Sequence, residues 1–170
     1  MTKIGLFYGS EMGHTKRVAG LISKEFGNEI TIEDIGYASS RQMQKYDILI
    51  FGVPTWDDGK LDWNWEWFLP YLHKIDFTGK KVALFGLGDQ ERYDEVFLGA
   101  MATIYKKLKA KGAKIVGEWP VEGYANTKSS AIRNNKFVGL AIDEDNQADL
   151  TKDRVKQWVA QLKQEFREKN

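Results

Sequence analysis

Ser10 and Thr15 carry hydroxyls at the two ends of Ser10-Glu11-Met12-Gly13-His14-Thr15, a segment between a compact apolar run and an amphipathic one. Hydroxyls, a glycine that lets backbone amides turn inward and the partial positive charge of a helix start make an anion cradle. The segment lacks the lysine of GxxxxGK[ST] and the spacing of GxGxxG, so it is not a P-loop and a dinucleotide pyrophosphate is not the expected ligand. A plain capped turn from strand to helix would use the same residues, and the loop alone leaves both readings open. A second segment, Pro54-Thr55-Trp56-Asp57-Asp58-Gly59, puts an indole on a loop, where a planar ligand could stack on it. Packing of Trp56 on Trp63, Trp65 or Trp67 is the alternative. A third, Gly86-Leu87-Gly88-Asp89-Gln90-Glu91-Arg92-Tyr93, offers polar groups suited to a heteroaromatic edge and a second flat face in Tyr93. Asp89 could equally cap a turn there. Brought together, the three loops would suit a flat heterocycle carrying one phosphate.

Each loop follows a strand-like run. Ile4 to Tyr8 is apolar and closed by Gly9, and Thr15 to Phe26 has the apolar spacing of a helix. Glu29 to Ile35 reads as a second strand, Tyr46 to Val53 as a third and Lys81 to Phe85 as a fourth. Asp62 to His73 is aromatic-rich and helical. Phe97, Leu98, Met101, Ile104, Tyr105 and Leu108 form a second helical stripe, ended by Gly112. Ile115, Val116 and Trp119 begin a fifth strand, and Phe137 to Ile142 is a further strand-like run. The polar stretch from Val121 to Lys136 reads as an excursion from a single strand. Val155, Trp158, Val159, Leu162 and Phe166 make the last helix, with Thr151 as its expected N-cap. Alternating elements with short, fully apolar strands imply an α/β fold, a parallel sheet covered on both faces. Ligands bind such sheets outside the C-terminal strand ends, where all three loops belong.

Composition narrows the chemistry. The chain has 170 residues, which fits one domain over 1–170, and no cysteine, which excludes disulfides, iron–sulfur clusters and thiolate zinc sites. Only His14 and His73 are present, so no His-rich metal site is expected. A formal charge of +1 argues against a nucleic-acid binder. No apolar run approaches the roughly 18 residues of a membrane span, and the N-terminus does not read as a signal peptide. The expected location is the cytoplasm.

The chain resembles the long-chain flavodoxins, most of all the cyanobacterial type. The resemblance runs through Ile4 to Ser10, Pro54-Thr55-Trp56, Val82 to Gly86, Gly88-Asp89-Gln90 with Tyr93, and the string Phe137 to Gln147. It implies a flavodoxin-like three-layer sandwich with a five-stranded parallel sheet in the order 2-1-3-4-5, its fifth strand split by a long loop. It implies one non-covalent FMN and a low-potential, one-electron carrier between redox proteins, working in place of ferredoxin. Carried over, Ser10, Glu11, Met12, Gly13, His14 and Thr15 would hold the phosphate. Trp56 and Tyr93 would sandwich the ring, with Pro54 and Thr55 beside them. Asp57, Asp58 and Gly59 would lie near flavin N5, and Leu87, Gly88, Asp89 and Gln90 at the pyrimidine side. The resemblance also implies that the peptide after residue 57 turns toward N5 on reduction. With a Cβ on both Asp57 and Asp58, that turn would be strained.

The chain departs from the family pattern at Met12, where Thr is usual, at His14, where Asn or Lys is usual, and in its near-neutral charge. The first two bear on phosphate binding, the last on the choice of partner. Asp57, Asp58, Asp62 and Glu66 against Lys60 make an acidic patch, and Lys106, Lys107, Lys109, Lys111 and Lys114 a basic one. Both also fit ordinary solvated faces. The expected partners are ferredoxin–NADP reductase or photosystem I-like donors and reductase-type acceptors, met by a monomer that neither inserts into a membrane nor catalyses a reaction. An FMN-dependent NAD(P)H reductase of the same fold is the alternative. A phospho-acceptor signalling domain would need an Asp where Pro54-Thr55 stands.

Overall fold

The computed structural model describes residues 1–125 and 128–169; Asn126 and Thr127, inside the predicted excursion, and the side chain of Asp57 lie outside the described residues. Three strands carry the centre of the sheet: β1 (Ile4–Tyr8), β3 (Ile48–Pro54) and β4 (Lys81–Leu87), with β2 (Thr31–Asp34) at one edge. Almost every residue of β1, β3 and β4 is buried, as a strand covered on both faces requires, whereas β2 is exposed to half-buried. All pairings in this sheet are parallel, and β3 registers Ile48 on Lys81 and Pro54 on Leu87.

At the other edge the fifth strand comes in two pieces. β5 (Lys114–Val116) pairs with the first half of β4, and β9 (Leu140–Ile142) with the second half. The order β2-β1-β3-β4-β5, with β9 also on β4, bears out the predicted 2-1-3-4-5 sheet and its split edge. Between the two pieces lies a small antiparallel sheet, in which β8 (Lys136–Phe137) pairs with both β6 (Trp119–Pro120) and β7 (Ile132–Arg133). Sequence reading took Phe137 to Ile142 as one strand. The backbone divides it, pairing Phe137 with Trp119 and Leu140 with Phe85. Tyr124 fastens the insertion: its hydroxyl accepts from Trp119 Nε1 at 2.9 Å and donates to the Ala141 carbonyl. Its ring packs on Phe97 and Phe137, under the Arg154 guanidinium. Burial pushes the Tyr124 phenol up to about 12, against the opposing pull of Arg154 and Trp119.

The helices are α1 (His14–Glu25), the short α2 (Ser40–Met43), α3 (Trp63–Leu72), α4 (Gly99–Ala110) and α5 (Thr151–Arg167). α1 and α5 pack on each other, and α3 and α4 border a shared groove. The two largest buried side chains are indoles, and each finds a partner: Trp65 Nε1 donates to Gly52 O and Trp158 Nε1 to Gly117 O, both at 2.8 Å. Thr151 is the first residue of α5 and not its cap; its hydroxyl donates to Glu144 Oε2 at 2.8 Å, across to the strand ends. Two lysines are buried at the far end of the sheet. Lys81 Nζ donates to the carbonyls of Glu165, Phe166 and Glu168, the last turn of α5, where a cation complements the helix dipole. Lys80 Nζ donates to the carbonyls of Gln44 and Tyr46.

Candidate functional site

A cleft of about 490 Å³ opens at the C-terminal ends of the strands, where the sheet was expected to bind. Ser10, Glu11, Met12, His14 and Thr15 line one end of it, Pro54, Thr55 and Trp56 a second side, and Leu87, Gly88, Asp89 and Tyr93 a third. The three loops singled out in the sequence therefore do converge.

The first loop owes its shape to Gly13, whose φ of 85° is the left-handed conformation that a Cβ penalises. Gly13 N donates to Ser10 Oγ at 3.0 Å. Among the described residues no side chain caps α1, and its first turn holds no acidic residue. The N–H groups of that first turn thus lack the capping acceptor most helices supply, and they carry the positive end of the helix dipole. Thr15 is buried, and Met12 is 75% exposed, reaching past the loop without a donor to offer. One turn further on, Arg17 forms an ion pair with Glu144, which ties α1 to the segment after β9.

Trp56 and Tyr93 are the aromatic walls, 38% and 39% exposed. The Trp56 loop closes tightly, with Trp56 N donating to Lys60 O at 2.9 Å and Gly59 N to Trp56 O at 3.0 Å. Asp58 sits at its tip with φ 59° and ψ 17°. This left-handed conformation costs a residue with a Cβ, though aspartate less than most. Thr55 belongs half to the scaffold, because its hydroxyl accepts from Ala100 N at 3.2 Å and so caps α4.

Asp89 combines both roles the sequence offered. It lines the cleft, and its Oδ1 accepts from Glu91 N, Arg92 N and Asn146 Nδ2 at 2.9 to 3.1 Å. Burial alone would raise its pKa, but the bonds from Arg92, Asn146 and Glu91 together hold it below the usual carboxylate range.

Gln90 does not line the cleft. It is buried, with Nε2 donating to Asp143 Oδ2 at 2.7 Å and Gln147 Oε1 at 3.0 Å, while its Oε1 accepts from Ala125 N at 2.7 Å. Its amide braces the loop against the insertion and the segment after β9. Asp143, fully buried, also accepts from Asp145 N, Asn146 N and Asn146 Nδ2. Gly13, Asp58 and Gly59 also stand outside the lining, as backbone positions that shape it. Five lining residues escaped sequence reading: Arg92, Val96, Phe97, Glu144 and Asp145. The last two follow β9, and the strand-end rule applied to that strand points to them.

The acidic patch predicted over 57–66 is less exposed than it reads. Asp62 is 1% exposed and caps α3, its Oδ1 accepting from Trp65 N at 3.1 Å. Its Oδ2 is buried and has no hydrogen-bond partner among the described residues. The carboxylate lies over the backbone of Gly9, where a Cβ would fall 2.4 Å from Oδ2. Burial, with repulsion from Glu11 and Asp34, pushes its pKa up to about 6.

Residues 6–158 match the flavodoxin family. A flavodoxin from Synechococcus elongatus is 51% identical over 168 residues, covering 98% of this chain and 99% of its own. One from Nostoc is 50% identical over 165 residues, 96% of this chain and 97% of its own. Among solved structures, a Fusobacterium nucleatum flavodoxin bound to flavin mononucleotide superposes with a TM-score of 0.91 at 34% identity, covering 97% of this chain and 99% of its own.

Proposed function

Since the chain belongs to the flavodoxin family, we propose that the cleft at the strand ends is its flavin site. The protein is an FMN-based electron carrier and not an enzyme. Bound there, FMN supplies one-electron chemistry, and the protein supplies position and electrostatics. The observation that carries the assignment is the uncapped start of α1 opening into the same cleft as two half-exposed aromatic rings. A phosphate would complete the first-turn N–H groups of α1, with the Ser10 and Thr15 hydroxyls beside them. Trp56 and Tyr93 would flank the ring and exclude water from it, and Leu87, Gly88 and Asp89 would border its polar edge. Gly13, Asp57, Asp58, Gly59 and Gln90 would act by shaping the loops. Pro54 and Thr55 would set the path of the Trp56 loop, and Glu11, Met12 and His14 would surround the phosphate.

Glu11, Asp89, Glu144 and Asp145 line the cleft against Arg92, while the exposed Lys106, Lys107, Lys109, Lys111 and Lys114 cluster around α4 and β5. Carboxylates around a ring that gains negative charge oppose that charge and favour a strongly reducing carrier. The same carboxylates suit redox proteins with basic docking faces. We propose ferredoxin–NADP reductase or photosystem I-type donors and reductase-type acceptors, following the likeness to flavodoxins of Synechococcus and Nostoc, with the carrier a monomer in dilute solution. Among the described residues no helix is long and apolar enough to cross a membrane.

Trp56→Ala tests the site. Loss of one large aromatic contact should weaken FMN by about 1–3 kcal/mol in a flavin-fluorescence titration; unchanged affinity would remove Trp56 from the site. The FMN-loaded protein should take no electrons from NADPH until a reductase is added, and direct reduction would favour the reductase alternative.

A further inference from the structure

The outer face of α3 carries Trp63, Trp67 and Tyr71, spaced four residues apart and hence aligned along one stripe of the helix. Their exposures are 76%, 54% and 36%. Trp67 and Tyr71 pack on each other with ring centroids 5.3 Å apart, so much of the stripe is pre-ordered. Nothing in the flavin site uses these rings. The stripe is also polar at its two ends, with opposite signs. At the Trp63 end, Glu11 Oε1 accepts from Trp63 N at 3.3 Å. At the Tyr71 end, Lys74 Nζ lies over the Tyr71 ring, 4.9 Å from its centroid.

A stripe with an anion at one end and a cation at the other is complementary to itself when turned end for end. We propose that α3 is a self-association face, on which two copies of this chain pack antiparallel about a two-fold axis near Trp67. In that arrangement the Trp67 rings meet at the axis and each Trp63 meets the other copy's Tyr71. Each Glu11 then faces the other copy's Lys74, so both charged pairs form at once, as an isologous interface requires. From the exposures, the stripe offers about 400 Å² of aromatic surface per copy. A stable complex buries about 800 Å² per partner. The association is therefore weak and transient. Glu66, exposed beside Trp67, recurs across the axis and holds the affinity down further. The pairing leaves the monomer as the dilute form.

The test is sedimentation velocity of the FMN-loaded protein from about 5 μM to 1 mM at low salt. The wild type should move from monomer to dimer across that range. Trp67→Ser should stay monomeric. Lys74→Glu leaves the rings in place but sets a carboxylate against the other copy's Glu11, and should raise the Kd about tenfold or more. Both substituted side chains are exposed, and an unchanged flavin spectrum checks that each variant is folded. A wild type monomeric at every concentration would overturn the proposal, as would a dimer indifferent to Trp67→Ser or to Lys74→Glu. A monomeric wild type whose Trp63 and Trp67 become shielded on adding a basic redox protein would assign the stripe to that partner instead.

Discussion

Asp62→Asn should stabilise the protein at neutral pH and do little in acid. Asp62 is 1% exposed, its Oδ2 meets no donor among the described residues, and the carboxylates of Glu11 and Asp34 repel it. Its pKa rises from 3.8 to about 6 on folding. The folded state thus holds a proton that the unfolded chain releases, and stability falls as pH climbs from about 4 to about 6. With those two values, linkage gives a loss of about 1 kcal/mol by pH 4.5 and about 3 kcal/mol by pH 7.5. Asparagine keeps the oxygen that accepts from Trp65 N and caps a helix as well as aspartate. It has no charge to lose, so the advantage of the variant should grow by about 2 kcal/mol between those pH values. Urea unfolding of the apoprotein at both pH values measures this difference directly, and groups that titrate elsewhere cancel between variant and wild type. An advantage that stays constant across the range would refute the reasoning: Asp62 would then be equally charged in both states, with water or a cation reaching Oδ2.

Met12→Thr adds a hydroxyl to the loop proposed to hold the phosphate and should tighten FMN by about 1 kcal/mol. Riboflavin, lacking phosphate, should gain nothing in the same titration, and equal gains would place residue 12 away from the phosphate. Asp58→Gly removes a left-handed residue with a Cβ and should raise folding stability by roughly 0.5–1 kcal/mol, whereas Asp58→Ala should lower it; equal urea midpoints for the two would mean the loop relaxes freely. Tyr124→Phe leaves Trp119 Nε1 and the Ala141 carbonyl without their shared partner and should cost about 1–3 kcal/mol. Amide exchange should quicken in β6 and β9 before it does in β1 or β3, and uniform quickening would show that the insertion does not open separately.

The central sheet was legible because β1, β3 and the body of β4 are unbroken apolar runs, each followed by a loop that borders the cleft. The small antiparallel sheet was not, since strands as short as Trp119–Pro120 are too brief for any periodicity to register. Gln90 illustrates a different limit. Its loop borders the cleft, but its own direction depends on Asp143, 53 residues away, and only the fold brings that carboxylate near. Asp62 was counted with an acidic patch because charge is visible in a sequence and burial is not. Glu144 and Asp145 stood within reach of the rule used for the other strands. They went unseen because the loop Asp143-Glu144-Asp145-Asn146-Gln147 holds no glycine and no aromatic ring to mark it as a ligand edge.

The two lysines that hold chain carbonyls at the base of the sheet turn an opening of the fold into a covalent record. Lys80 and Lys81 are only 8% and 6% exposed, while lysines such as Lys106 and Lys109 stand in solvent. An amine-selective acylating reagent meets the exposed side chains at once. It reaches Lys81 only when the last turn of α5 has let go of the ammonium, and Lys80 only when the carbonyls of Gln44 and Tyr46 have done so. Acylation then removes the charge and prevents reclosure, so each modified molecule is trapped and can be counted by mass. The ratio of labelling at the two sites would report whether the carboxyl-terminal helix detaches alone or together with the segment below β3.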